Sequence, residues 1–307
     1  MSEILLRAPA TIANFGPGFD VFALALAAPA DRFRIRRTET EGIAVRIVDG
    51  LESLPTEPGK NTAGLAAQHF FKATGVRGGV EIQIIKSMPI ASGLGSSAAS
   101  AVAAAYGLDR LYGTRLADTD LIEIASEGEA ASGGTPHADN VAGCFLGGFV
   151  IVRNRRPLRI DRLEAPEIPI VVRVRRKSLT TSRGLIPEHL PLARVKEQMA
   201  WCAAVVHAMA TRDLARIGEA INRDHISEPV RSGYIGCYGA LKERALAAGA
   251  LGFNVSGGGS SVFAVCPPGG AERVADALRV PCDADVGEPL VLITTSSNEG
   301  VREIDGL

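Results

Sequence analysis

The spacing of apolar and polar residues changes along the chain, and each change marks an element. Residues 4–14 read as a strand running into a loop, Asn14-Phe15-Gly16-Pro17-Gly18-Phe19-Asp20, with too many turn-formers for regular structure. Strands are predicted near 32–36 and 42–48, and a helix over 62–74. The stretch Val80-Glu81-Ile82-Gln83-Ile84-Ile85 alternates until its buried end and predicts a strand. A helix of small and apolar residues is predicted from Ser97 to Tyr112, and another over 121–131, which Asp118 can cap. Residues 132–140 read as a loop and 147–152 as a strand, while 153–169 is charged, contains proline and has weak periodicity. Beyond it the pattern predicts a strand at 170–174, a loop at 177–187 and helices at 192–210, 213–222 and 238–248. A strand, glycine turn and strand over 253–265, a helix at 271–278 and a strand at 290–294 complete the chain. Strands and helices are mixed without regular βαβ alternation, which favours α+β over a doubly wound sheet. Two domains are expected from the length of 307 residues, 1–160 and 161–307.

Composition narrows the function classes. Hydrophobic content of 46% with 22% charged residues is that of a globular protein. A formal charge of −1 gives no basic field, so no nucleic-acid partner is expected. Neither a membrane-length apolar run nor a signal-peptide pattern is present. The five cysteines are scattered and form no CxxC, which predicts reduced thiols in a cytoplasmic protein and no structural zinc.

The segment Pro89-Ile90-Ala91-Ser92-Gly93-Leu94-Gly95-Ser96-Ser97-Ala98-Ala99 joins a predicted strand to a predicted helix. Glycines let backbone approach a ligand, the first helix turn offers unpaired N–H groups, and the dipole favours an anion there. The same residues would also serve as a tight turn with Ser96 or Ser97 as an ordinary N-cap. On the next predicted helix, Leu121, Ile122, Ala125 and Glu129 share one face. Glu129 is thus a carboxylate ending an apolar stripe, where an unpaired charge is costly. It needs an arginine, backbone donors or a metal, unless it bends into solvent.

Three glycine-rich segments, 9–20, 89–99 and 254–265, stand in a fixed order. Together they resemble the GHMP small-molecule kinases, the superfamily of galactokinase, homoserine kinase, mevalonate kinase and phosphomevalonate kinase. Within it, four segments resemble the homoserine kinases. They are 9–20, then Pro136-His137-Ala138-Asp139-Asn140-Val141-Ala142 with Leu146-Gly147-Gly148-Phe149 after it, Asp224-His225-Ile226-Ser227-Glu228-Pro229-Val230-Arg231, and Ala248-Gly249-Ala250-Leu251-Gly252. The third glycine motif departs from the family's more usual Gly-Ser-Gly-Pro-Thr, reading Ser256-Gly257-Gly258-Gly259-Ser260-Ser261.

The resemblance implies a two-domain fold, with an N-terminal domain like domain 2 of ribosomal protein S5 and a ferredoxin-like C-terminal domain. ATP and an acceptor would bind between them, and a homodimer is implied. Pro89, Ser92, Gly93, Leu94, Gly95, Ser96 and Ser97 are assigned to ATP, and Glu129 with Ser97 to Mg²⁺. For L-homoserine, on the route to threonine, Arg231 and Arg183 would grip the carboxylate and Asp20 the ammonium. Asn14 and Asn140 would orient the hydroxyl, and His137 would touch substrate. Asn14 and Asp20 also suit plain turn formation beside Gly16-Pro17-Gly18. Asp139 is a candidate base, or a cap of the helix or turn after it. No lysine occurs in the first 59 residues, so a base assisted by a lysine at the first motif is not expected. Other small acceptors (threonine, shikimate, a mevalonate derivative) and an inactive nucleotide-binding regulator are the alternative readings.

Overall fold

Strands β1 (Glu3–Ala13) and β2 (Phe22–Thr38) pair antiparallel and form the spine of the larger of two sheets. In the first half of β2 nearly every residue from Phe22 to Leu26 is fully buried, whichever way its side chain points. Such a two-sided run has no period-2 signature, which is why only its second half is legible as a strand. The computed structural model describes residues 2–49, 54–90, 92–133, 138–174, 185–258, 261–282 and 288–306.

The larger sheet also contains β3 (Gly42–Asp49), β4 (Gly79–Ile85), β5 (Phe149–Arg155) and β6 (Leu158–Leu163). It runs in the order β11-β1-β2-β4-β3, with β5 pairing both β2 and β6, where β11 is Arg302–Glu303 near the chain's end. Four helices cover it: α1 (Thr62–Thr74), α2 (Ser96–Tyr112), α3 (Asp118–Gly128) and, after the single turn α4 (Ala130–Gly133), α5 (Asp139–Leu146). Helix α2 lies centrally, against α1, α3, α5, β1 and β2. Its run of alanines suits helix propensity and keeps the buried helix thin, so that five neighbours reach it.

The smaller sheet, ordered β10-β7-β9-β8, is antiparallel throughout and consists of β7 (Pro169–Val174), β8 (Gly252–Val255), β9 (Val262–Val265) and β10 (Leu290–Thr295). Helices α6 (Leu192–Thr211), α7 (Leu214–Ile221), α8 (Glu228–Arg231), α9 (Tyr238–Ala247) and α10 (Ala271–Arg279) belong to this half. The architecture is α+β, as expected. The two sheets share a core at their junction, where Phe15 stacks on Phe263 at 5.5 Å between ring centroids and meets Phe149 edge-on.

Three expectations need revision. Residues 139–146, read in part as loop, form α5, which buries Val141, Ala142, Cys144 and Phe145. The segment 153–169 contains β6, so a division at 160/161 would cut a strand; we propose dividing the chain between Leu163 and Pro169. Finally, Cys237 and Cys282 form a disulfide, against the expectation of reduced thiols throughout. The start of α9 and the end of α10 come together in the fold, with the two Cα atoms 6.4 Å apart, a proximity that a separation of 45 residues does not advertise. Cys144, Cys202 and Cys266 are free.

Candidate active site

The three glycine-rich segments are stitched into one seam by backbone. Thr11 N–H donates to the Leu94 carbonyl at 3.0 Å, Gly257 N–H to the Ala13 carbonyl at 3.3 Å, and the Ser256 hydroxyl to the Gly93 carbonyl at 2.7 Å. Gly93 and Gly95 both adopt positive φ, 78° and 71°, and Gly95 is the residue from which α2 starts. A side chain at Gly95 would come within 2.2 Å of the Thr11 hydroxyl, so glycine is required there by backbone conformation and by space. The loop opens onto a cleft of about 400 Å³ lined by Gly93, Gly95, Ser96, Ser97, Lys86 and Asn140, among others. Ser92 lines the same cleft, its hydroxyl donating to the Pro89 carbonyl at 2.7 Å, whereas Leu94 is buried. They shape the loop, while the first-turn N–H groups of α2 remain for an anion.

Behind that turn lies an ion pair that the sequence motifs do not reveal. The three Lys86 Nζ hydrogens are shared among four oxygens within hydrogen-bond distance: Asp31 Oδ2 at 2.6 Å, the Ser96 hydroxyl at 2.7 Å, the Ser96 carbonyl at 2.8 Å and the Ser100 hydroxyl at 2.9 Å. Asp31 in turn accepts from the N–H groups of Ser87 and Met88. Both side chains are almost wholly buried. Burial pulls the lysine's pKa down, and Asp31 opposes the shift by favouring the charged form. A signal for the pair exists in the alternation: Val80, Ile82, Ile84 and Lys86 continue one inward face, and Asp31, Phe33 and Ile35 another. The outer end of the cleft is formed by Leu54, Pro55, Lys60 and Asn61, which belong to none of the glycine motifs. Asn61 caps α1, accepting from the N–H groups of Ala63 and Gly64, so an Asn preceding Thr62 is a readable cue.

Glu129 comes directly after α3, 6% exposed, and accepts a hydrogen bond from the Ser97 hydroxyl at 2.6 Å. The structure therefore joins the two residues expected to serve one metal. No cluster of three His, Cys, Asp or Glu side chains that could hold a metal occurs among the described residues. A single buried carboxylate beside a hydroxyl and a phosphate loop is an oxygen donor set suited to Mg²⁺, which retains waters and shares its shell with substrate phosphates. Asp139 opens α5, is 4% exposed, and accepts from the Asn140 N–H at 2.8 Å. The Asn140 Oδ1 accepts from Thr11 Oγ1 at 2.7 Å.

The other side of the seam is made by side chains from separated segments. Asn14 lies at positive φ, 69°, and its Oδ1 accepts the Asp20 N–H at 3.0 Å. The turn role is thus real for Asn14, and it holds the exposed Asp20 in place. Arg231 at the end of α8 is 3% exposed; it donates through Nη1 to the Gly257 carbonyl at 2.7 Å and lies 5.4 Å over the Phe19 ring. A guanidinium is thereby placed where the first and third motifs meet. Helix α8 is itself anchored by Asp224, whose carboxylate accepts from the N–H groups of Ile226, Ser227 and Glu228. His137 and Arg183 lie outside the described residues.

Two family models match the chain. A family model described as GHMP kinases N terminal domain matches residues 61–148, and one described as GHMP kinases C terminal matches residues 205–283. A homoserine kinase of Methanopyrus kandleri is 43% identical over 283 residues, covering 90% of this chain and 91% of that protein. A crystal structure of homoserine kinase from Cytophaga hutchinsonii matches with a TM-score of 0.91 at 34% identity, covering 99% of this chain and 98% of that one. A mevalonate kinase from L. major, crystallised with R-mevalonate, has a TM-score of 0.76 at 16% identity over 98% of this chain and 97% of its own, a likeness of fold alone.

Proposed function

The chain belongs to the GHMP kinases, a family that uses ATP, and from that premise we propose that it is a homoserine kinase. It moves the γ-phosphoryl group of ATP to the side-chain hydroxyl of L-homoserine and yields O-phospho-L-homoserine. The observation that carries the acceptor is Arg231, a buried guanidinium held at the junction of two glycine motifs. A planar fork in that position suits a small carboxylate better than a sugar hydroxyl. The identity to relatives named homoserine kinase supports the same choice.

In this reading the seam brings phosphate and acceptor into line, and positioning provides most of the catalysis. The turn of α2 and Ser96 face the phosphates, with the Lys86 charge buried beneath them. Glu129 and Ser97 would hold Mg²⁺, which when bound neutralises charge on the β- and γ-phosphates. Asp20 faces the ammonium and Arg231 the carboxylate, with Arg183 as a second guanidinium for that carboxylate and His137 a contact from the acceptor loop. Asn14 and Asn140 orient the hydroxyl. Asp139 accepts the Asn140 N–H and helps to fix the start of α5, and in this reading transfer proceeds by approximation without a dedicated protein base. Incubation with ATP, Mg²⁺ and L-homoserine should give O-phosphohomoserine by mass spectrometry. ATP consumed only with shikimate, threonine or a mevalonate derivative would refute the proposed acceptor.

A further inference from the structure

Thr11 is a polar residue in the middle of an apolar strand, fully buried between Ala10 and Ile12, and the expected chemistry assigns it nothing. Its surroundings are specific. The pairing of β1 with β2 loses regular register between Pro9 and Thr11, an irregularity of the kind that re-aims a side chain. The backbone N–H of Thr11 is used by the phosphate loop, at the Leu94 carbonyl. Its hydroxyl donates to Asn140 Oδ1 at 2.7 Å, and the absence of a side chain on Gly95 leaves room for this pair. A Cβ at Gly95 would press on both partners, 2.2 Å from Thr11 Oγ1 and 3.2 Å from Asn140 Oδ1.

The orientation of the Asn140 amide is fixed by hydrogen-bond accounting. Among the described residues the Thr11 hydroxyl has no acceptor other than Asn140. Were the amide turned over, its NH₂ would donate to Thr11 and the hydroxyl hydrogen would be left without an acceptor in a dry site, which is costly. The carbonyl therefore faces Thr11 and the NH₂ faces away. Asn140 is half-buried and lines the cleft beside Gly95 and Ser97, and among the described residues its Nδ2 has no acceptor.

We propose that Thr11 is a positioning residue, one that locks the Asn140 amide so that its Nδ2 hydrogens, and not its carbonyl, face the reacting groups. The proposal rests on the kinase reading above and deepens it. Of the two Nδ2 hydrogens, one then orients the acceptor hydroxyl as proposed above and the other is donated to an oxygen of the transferred phosphoryl group, where negative charge spreads during transfer. Asn140 is not the group that withdraws the acceptor's proton. A donor already aimed at that position needs no reorganisation, whereas an amide free to turn must be oriented by the anion itself, at a cost that falls on the reacting complex.

The test is steady-state kinetics on Thr11→Ser, Thr11→Val and Asn140→Asp, with melting temperatures measured alongside. Thr11→Ser keeps the hydroxyl and should retain kcat close to the parent. Thr11→Val, of the same shape but lacking the donor, should lose about 10-fold or more in kcat with both KM values little changed. Asn140→Asp replaces the cleft-facing donor by an anionic acceptor and should lose more. Unchanged kcat in Thr11→Val, equal impairment of the Ser and Val variants, or full activity of Asn140→Asp each overturns the proposal. Should the valine variant fail to fold, Thr11→Ser and Asn140→Asp decide it alone. The parent protein is assayed first: turnover of an acceptor other than L-homoserine overturns the functional reading only, and the Thr11 comparison is then made with that acceptor. No phosphoryl transfer to any hydroxyl acceptor overturns both.

Discussion

The two sides of the seam are built on opposite plans. On the proposed nucleotide side, a continuous strand, loop and long helix supply backbone groups, two positive-φ glycines and a buried Lys86–Asp31 pair within one stretch plus one neighbouring strand. On the proposed acceptor side, Asn14, Asp20, Asn140 and Arg231 come from separate segments spread over more than two hundred residues, and Arg231 sits on a four-residue helix. The first plan depends on conformation and tolerates few side-chain types at its glycines. The second depends on side-chain chemistry held by capping bonds. A phosphate is common to all members of such a family, and rigid backbone suits a constant ligand. The acceptor varies, and single side chains on short elements are what can be exchanged without rebuilding the core.

Substitutions on each side should separate these plans. The largest effect is expected at the hidden pair. Lys86→Met leaves the Asp31 carboxylate buried and uncompensated, and should cost about 3–5 kcal/mol of stability in denaturant unfolding. The double change Lys86→Met with Asp31→Leu should recover much of that loss, and no recovery would contradict a charge-based account. Glu129→Gln should reduce kcat by about 10²–10³-fold, the scale of one electrostatic group at a reacting centre, while calorimetry still detects nucleotide binding. Turnover unchanged at saturating Mg²⁺ would remove the ligand role. On the acceptor side, Arg231→Leu should raise the KM for homoserine by about 10–100-fold, from loss of a charge-assisted contact, with the KM for ATP nearly constant. A rise in both KM values would mean that Arg231 supports the seam and not the acceptor. The smallest effect is expected one step back. Asp224→Ala removes the carboxylate that accepts from the Ile226, Ser227 and Glu228 N–H groups and so anchors α8, and should cost about 1 kcal/mol in stability with a milder rise in homoserine KM than Arg231→Leu.

The same contrast governs what can be read from sequence. The phosphate loop and α2 are legible because glycines, serines and an apolar helix are adjacent in the chain. Glu129 is legible from face spacing along α3, and the Ser97 bond identifies the partner that its position demands. Lys86 and Asp31 escape notice although each continues an inward-facing alternation. The two are 55 residues apart, and a buried charge is conspicuous only once its partner is known. Helix α5 is partly hidden because it is only eight residues long and has Gly143 in its interior, and β6 because its alternation is carried by charged residues. Thr11 is invisible for a different reason. A threonine in a strand is ordinary, and only the β-irregularity and the nearness of Gly95 reveal what its hydroxyl does.

The central claim is that acceptor choice resides in side chains that grip both charges of a small amino acid. The most direct test compares kcat/KM for L-homoserine and for 4-hydroxybutyrate, which keeps the carboxylate and the hydroxyl but lacks the amine. The account predicts discrimination of about 10–100-fold in favour of homoserine, the scale of one charge-assisted contact, because the exposed Asp20 loses the amine but is solvated by water when the analogue binds. Equal kcat/KM for the two compounds would contradict it.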